Sequence, residues 1–353
     1  MFGTNSLENC SVAERMEADG FCGPLDAGVS LQECQKVAES IEWMIESRAC
    51  HPLYDRFSVR DWHLIDRSFL NLLTAPNILA AVADLFGEQF QMWRSKIFLK
   101  TPGEGPLGWH QEWGAFNGEE IGNDRPALIP ASEREGQPWN VTVWMPLSDV
   151  DESMGPIRFG RGTHKRRFPI EMRPLTEAEF YVDPFHEVQN ADELITRVKH
   201  DSLCLDIPTS SYFDDIDLSK YSYQDLCDYV QRRLNDERGA VTLDFHESEN
   251  DIVSMPMRVG QFVMFSERCM HGSSANMSDR NRIGINARFT FLDTKVYPFR
   301  QSDNPIDGSN LNVSLHRSVL IGIQPAERDG ATITLPELRA SLQSDILSSV
   351  MAG

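Results

Sequence analysis

No stretch of this 353-residue chain is apolar for long enough to span a bilayer, and no basic segment leading into an apolar one opens it. A cytoplasmic protein is therefore expected rather than a secreted or membrane-embedded one. Basic charge is scarce: 33 Lys and Arg stand against 53 Asp and Glu, a net charge of −20. That balance argues against nucleic acid or an anionic membrane as a partner, since both would repel the chain. Cysteine is sparse and scattered, at Cys10, Cys22, Cys34, Cys50, Cys204, Cys227 and Cys269. The odd count and wide spacing suit reduced thiols better than a disulfide framework or a zinc site. Repeats and low-complexity tracts are lacking as well. What remains is a globular domain long enough to bury a large core.

Local patterns divide the chain. Ser30-Leu-Gln-Glu33 has the form of a capping box and predicts a helix to about Ser47. Pro76 to Phe86, with Gly87 in the stop position, predicts a second. The first thirty residues are mixed and polar, and Gly20-Phe-Cys-Gly-Pro24 reads as a turn. Strand signals begin at Phe90 to Leu99 and resume at Trp139 to Leu147 and Gly155 to Phe159. From about Pro169 to Asn250 the chain turns acidic and loses strand periodicity, with one helix capped by Ser222 and ending near Asn235. Strands return from Gly239 to about Leu292, and a final helix is expected from Leu335 to Ser348.

The most informative residues are Trp109-His110-Gln111-Glu112, read with His271 and Arg282 far downstream. On an extended strand His110 and Glu112 share a face. A second imidazole, from His271, would complete two nitrogens and one carboxylate. That set holds Fe(II) on one triangular face and leaves the opposite positions open. Arg282 lies 11 residues after His271 on what reads as the next strand. A guanidinium there could clamp the far carboxylate of a dicarboxylate such as 2-oxoglutarate with two parallel hydrogen bonds. A lone His-x-Glu pair is common and usually structural. Here a glycine-rich lead-in, a strand-like run before His271 and an alternating strand after Arg282 supply the order the chemistry needs.

Four segments carry a resemblance: Gly108-Trp-His-Gln-Glu-Trp113, Val141-Thr-Val-Trp-Met-Pro-Leu-Ser-Asp-Val150, Gly155-Pro-Ile-Arg-Phe-Gly-Arg-Gly-Thr-His164, and His271-Gly-Ser-Ser-Ala-Asn276 with Arg282. They resemble the phytanoyl-CoA dioxygenase superfamily, and within it the group containing the non-haem iron halogenases of syringomycin-type peptide pathways. The resemblance implies a mainly β fold with outer helices, a double-stranded β-helix of jelly-roll, cupin-like form. Residues 1–89 would be N-terminal helical support, 90–168 and 239–300 the jelly-roll core, 169–238 an insertion over the active site, and 301–353 a C-terminal extension. The implied cofactors are Fe(II), 2-oxoglutarate and O₂. His110, Glu112 and His271 would be the catalytic metal ligands, Arg282, Thr142 and Trp144 would border the co-substrate, and Phe116, Asn117 and Arg288 would face the substrate. Gln111, His164 and Cys269 read as structural.

One departure decides the expected outcome. The halogenases carry a small residue where this chain has Glu112, which frees a position for chloride. A carboxylate there implies hydroxylation of an unactivated C–H bond. By resemblance the substrate is an amino-acid-derived small molecule, free or bound to a carrier protein, in natural-product biosynthesis. The same iron site directing desaturation, cyclisation or halogenation is the alternative, and a jelly-roll binding module without metal is a third.

Overall fold

The computed structural model describes residues 10–119, 125–134, 136–174, 183–185, 188–204, 207–237, 239–324 and 330–342. Alternation along two central strands sets the architecture. In the Arg282–Phe291 strand, Ile283, Ile285, Ala287 and Phe289 enter an apolar core, so Arg282, Gly284, Asn286 and Arg288 face the other way. In the Asn140–Pro146 strand, Val141, Val143 and Met145 join the same core, which leaves Thr142 and Trp144 opposite. The two strands are neighbours, with Arg288 level with Thr142 and Asn286 level with Trp144.

They form the middle of a seven-stranded sheet. Its order is Phe21–Asp26, Gln261–Ser266, Asn140–Pro146, Arg282–Phe291, Phe90–Lys100, Ser318–Ile321 and Thr332–Thr334. Every neighbouring pair is antiparallel except the last. Helices Leu31–Glu46, Arg67–Leu73 and Pro76–Phe86 cover one face, through Val37, Ile41, Met44, Phe69, Leu70, Ile78 and Val82. Each such side chain contributes about 1.5–3 kcal/mol relative to exposure. The other face meets a four-stranded sheet, Ile252–Met255, Ile157–Gly160, His271–Ser273 and Leu107–His110, with Trp144, Ile157, Phe159, Val263 and Phe265 between the two. Among the described residues no single helix is long and apolar enough to cross a membrane.

The expected capping box holds: Ser30 and Glu33 bond each other's backbone N–H, and the helix runs Leu31–Glu46. Pro76–Phe86 also forms as expected. The N-terminal reading needs correction. Ser11 and Glu14 make a second capping box that starts a helix, Val12–Asp19, and Gly20 ends it at φ +87°. Beyond Gly20 the chain forms an edge strand paired with Gln261–Ser266, not a turn. Only Phe21 and Cys22 of its six residues are buried, too short a pattern to announce a strand.

The 169–250 stretch is more structured than its composition suggests. Ile170–Pro174 pairs with Gly239–Leu243, a contact between distant segments that no local pattern reveals. Between them, Ala191–Lys199, capped by Asn190, and Tyr223–Glu237 share a separate core with Leu194, Val198, Tyr212, Leu226 and Val230. The last helix spans Leu335–Ser341, and its expected continuation over 343–348 lies outside the described residues. All seven cysteines are unbridged.

A buried polar cluster ties the N-terminal segment to the central strands. Asp61 accepts bonds from Tyr54 Oη at 2.5 Å and from Ser95 N at 3.0 Å. His51, His63 and His316 are buried beside it. Burial pushes their pKa values down to about 4, 3 and 4, against the smaller opposing pull of Asp61. The folded state thus keeps them neutral while the unfolded chain takes up protons below its ordinary value of about 6.5. The stability they contribute is complete above that value and is lost as the pH falls toward 4, by up to about 1.4 kcal/mol per histidine per pH unit. Thermal melts should therefore show a falling Tm between pH 7 and pH 5, before most carboxylates titrate. A Tm that stays level over that range would contradict neutral burial of these rings.

Candidate metal and co-substrate site

His110 ends the Leu107–His110 strand, His271 begins His271–Ser273, and the two face each other directly across the antiparallel pair. Their ring centroids are 4.0 Å apart. Nδ1 of His110 donates to the Gly108 carbonyl at 3.0 Å, and Nδ1 of His271 to the Cys269 carbonyl at 2.9 Å. These bonds place the proton on Nδ1, so the lone pair of each ring sits on Nε2. Burial lowers the pKa of His110; burial and then the neighbouring His110 take His271 well below 6.5. Both shifts favour the neutral ring, the form that binds a metal.

The hydrogen-bonded strand ends at His110. Two residues on, the Glu112 N–H bonds the Glu267 carbonyl at 2.8 Å, a tie that holds this segment with its carboxylate beside the imidazoles. Ligand atoms of His110, Glu112 and His271 lie within 4.8 Å of one another, the one such cluster among the described residues. Glu112 Oε1 meets Nη2 of Arg288, while Oε2 is buried with no partner. A buried acceptor left unmade costs about 1–3 kcal/mol, more when charged. Imidazole lone pairs and a bare carboxylate oxygen converging on one point form a site that a cation relieves. The donor set fits Fe(II).

Two further cations are buried on the inward side of the large sheet. Arg282 and Lys100 are cross-strand partners. Arg282 Nη1 donates to the Gly155 carbonyl at 2.5 Å, and its Nε has no partner. Lys100 Nζ donates to the carbonyls of Gly105 at 2.7 Å and Ser274 at 2.9 Å. Burial pushes Arg282 down to about 10; burial and then the charge of Arg282 push Lys100 down to about 8. Among the described residues neither forms an ion pair, so a bound carboxylate would relieve both desolvation and repulsion. Thr142 Oγ1, Ser273 Oγ and Asn286 Oδ1 are buried and unpartnered too. The Trp144 ring centroid lies 5.5 Å from the Arg282 guanidinium carbon. A Cβ on Gly284 would come within 2.3 Å of that ring, so glycine is what lets the indole lie there.

The structure thus brings Arg282, Thr142 and Trp144 to the inward side of the large sheet, as the sequence implies. Sequence reasoning missed Lys100, Ser273 and Asn286. Ser273, two residues after His271, could have been read from strand spacing; Lys100 needed the register against Arg282. Of the residues expected near substrate, Phe116 lies with its ring 4.4 Å from the Arg288 guanidinium carbon. Arg288 itself, expected at a substrate carboxylate, is paired with Glu112. Asn117 bonds Glu119 at 2.8 Å and lines a groove of about 860 Å³ with Trp113, Trp139, Glu267 and Arg268; none of the three clustered ligand residues borders it. Gln111 is buried and donates to the carbonyls of Arg268 at 2.7 Å and Arg166 at 2.8 Å, and His164 bonds the Glu17 carbonyl at 3.0 Å. Burial pushes the Cys269 thiol, packed against Thr163, up to about 12. All three are engaged by neighbouring parts of the fold.

A model of the phytanoyl-CoA dioxygenase (PhyH) family matches residues 16–284. The chain belongs to the phytanoyl-CoA dioxygenase family. As a family member it is a 2-oxoglutarate-dependent oxygenase, with Fe(II), 2-oxoglutarate and O₂ as cofactors. Among solved structures it resembles CytC3 with Fe(II) and alpha-ketoglutarate, at 20% identity and a TM-score of 0.56 over 93% of this chain and 92% of that one. It also resembles apo ThoJ, a non-heme monooxygenase, at 16% identity and a TM-score of 0.55 over 97% and 92%. Identities this low speak for the fold alone. No curated protein matches the sequence.

The two buried cations generate a direct expectation for this member of the phytanoyl-CoA dioxygenase family. Arg282→Lys keeps the charge and loses the planar fork, and Lys100→Met removes a charge. Each should weaken 2-oxoglutarate binding by roughly tenfold or more, the effect of one lost charge-assisted bond. Anaerobic co-substrate titrations at saturating Fe(II) read this. Wild-type affinity in both variants would place 2-oxoglutarate elsewhere.

Proposed function

We propose that this oxygenase is a hydroxylase acting on an unactivated C–H bond of an amino-acid-derived small molecule, free or tethered to a carrier protein, in natural-product biosynthesis. The observation that carries the reading is the carboxylate of Glu112 clustered with His110 and His271. A carboxylate in that place fills the position a halide would need. The substrate class rests on the sequence resemblance to enzymes of peptide pathways. On the same reading, the two facing sheets are the halves of a double-stranded β-helix, residues 169–238 are an insertion, and the protein works in the cytoplasm.

Nε2 of each histidine and one Glu112 oxygen would hold the iron, while Arg282 and Lys100 would take the far carboxylate of 2-oxoglutarate. When bound, iron would bring O₂ to bear as the oxidant, one oxygen atom going to the substrate C–H bond and the other into succinate as 2-oxoglutarate loses CO₂. The protein's own contribution is placement. Backbone carbonyls fix both imidazole tautomers, and Phe265, its ring centroid 4.5 Å from that of His271, backs that ring with apolar surface.

The test is a screen of free and carrier-tethered amino acids with Fe(II), 2-oxoglutarate and high chloride, scored by succinate and by product mass. Wild-type protein should yield a product heavier by one oxygen and none carrying chlorine. Glu112→Ala should lose most hydroxylation, on the order of 100-fold, as expected for an interaction made at the reacting centre. Chlorinated product from the wild-type protein would mean that Glu112 does not occupy the iron, and the hydroxylase reading would fall.

A further inference from the structure

We infer that Arg288 is a positioning residue for the metal site: it holds Oε1 of Glu112, so that the carboxylate offers a metal only Oε2. The inference rests on the iron-site reading and assigns a role to a residue that the reading leaves out. A glutamate ligand has a long arm and two equivalent oxygens. Left alone it can swing away or bind through both oxygens, and a second metal–oxygen bond would close a position needed by the co-substrate or O₂. Arg288 removes both freedoms by engaging one oxygen.

Its own position is over-determined. Arg288 lies mid-strand between Thr142 on one neighbour and Arg94 on the other. Its guanidinium carbon sits 4.4 Å from the Phe116 ring centroid, and its side chain is 12% exposed. Arg94 is engaged elsewhere, bonding Asp307 at 2.6 Å. Among the described residues Glu112 is the only ion-pair partner of Arg288. Oε2, buried and without a hydrogen bond, is therefore the oxygen left for a metal in the cluster with the two imidazoles. Partners of this kind, bonded to a ligand rather than to the metal, characteristically contribute 10–100-fold to metal affinity.

The experiment is an anaerobic calorimetric titration of the full chain with Fe(II), without substrate, followed by 2-oxoglutarate at saturating Fe(II). Arg288→Gln should weaken Fe(II) binding by roughly 10–100-fold and 2-oxoglutarate binding much less. Arg288→Lys, which keeps a cation but not the fork, should recover part of the loss. A purely packing role would give no such recovery and no such split. Circular dichroism checks folding, and if Arg288→Gln does not fold, the intermediate loss expected of Arg288→Lys carries the test. Fe(II) affinity equal to wild type in a folded variant would overturn the inference. So would a loss falling on 2-oxoglutarate instead, since Arg288 would then be a co-substrate ligand. A wild-type protein that binds no Fe(II) would sink the iron-site reading itself, and this inference with it.

Discussion

The antiparallel pairing of Leu107–His110 with His271–Ser273 is the contact on which the site depends. It sets two imidazoles directly opposite each other, although their residues are far apart in the chain. Each ring then donates to the carbonyl two residues before it, Gly108 or Cys269, so the ligand nitrogens are set before any metal arrives. Past the end of that strand, the Glu112 N–H bonds the Glu267 carbonyl, which holds its carboxylate beside the same two rings.

The large sheet solves a second problem. Its outer face buries Ile283, Ile285, Ala287 and Phe289 beneath helices, while the opposite face of the same strand carries Arg282, Asn286 and Arg288. Burying such groups is costly unless each finds a partner. Arg288 finds Glu112. Arg282 and Lys100 make bonds to carbonyls but form no ion pair among the described residues, the charge of Glu104 acting on both without direct contact, and a group of inward polar atoms has no bond at all. The apolar side of the sheet supplies the stability that lets the polar side remain incomplete. An incomplete polar lining beside three convergent ligands is what a dicarboxylate co-substrate would complete.

Much of this was legible in the sequence wherever the signal was local. Ser30 with Glu33, Pro76, Gly87 and the alternation after Arg282 each declared an element through nearby residues. The ligand set was legible because two of its residues are close in sequence and the third comes after a strong strand. What stayed hidden depends on register between distant segments. The Phe21–Asp26 edge strand is defined by its partner, and so is the pairing of Ile170–Pro174 with Gly239–Leu243. Lys100 is invisible as a second buried cation until it is set opposite Arg282. Arg288 was noticed, but its partner was not. Nothing in the spacing of 112 and 288 says that a guanidinium will meet that carboxylate.

The central claim is that His110, His271 and a single oxygen of Glu112 hold one iron, with Arg282 and Lys100 answering the charge of 2-oxoglutarate. A crystal structure of the protein grown anaerobically with Fe(II) and 2-oxoglutarate tests it most directly. The expected result is iron bonded to Nε2 of each histidine and to one Glu112 oxygen, with the outer carboxylate of 2-oxoglutarate against Arg282 and Lys100. Iron bound without Glu112, its carboxylate wholly engaged by Arg288, would contradict the claim.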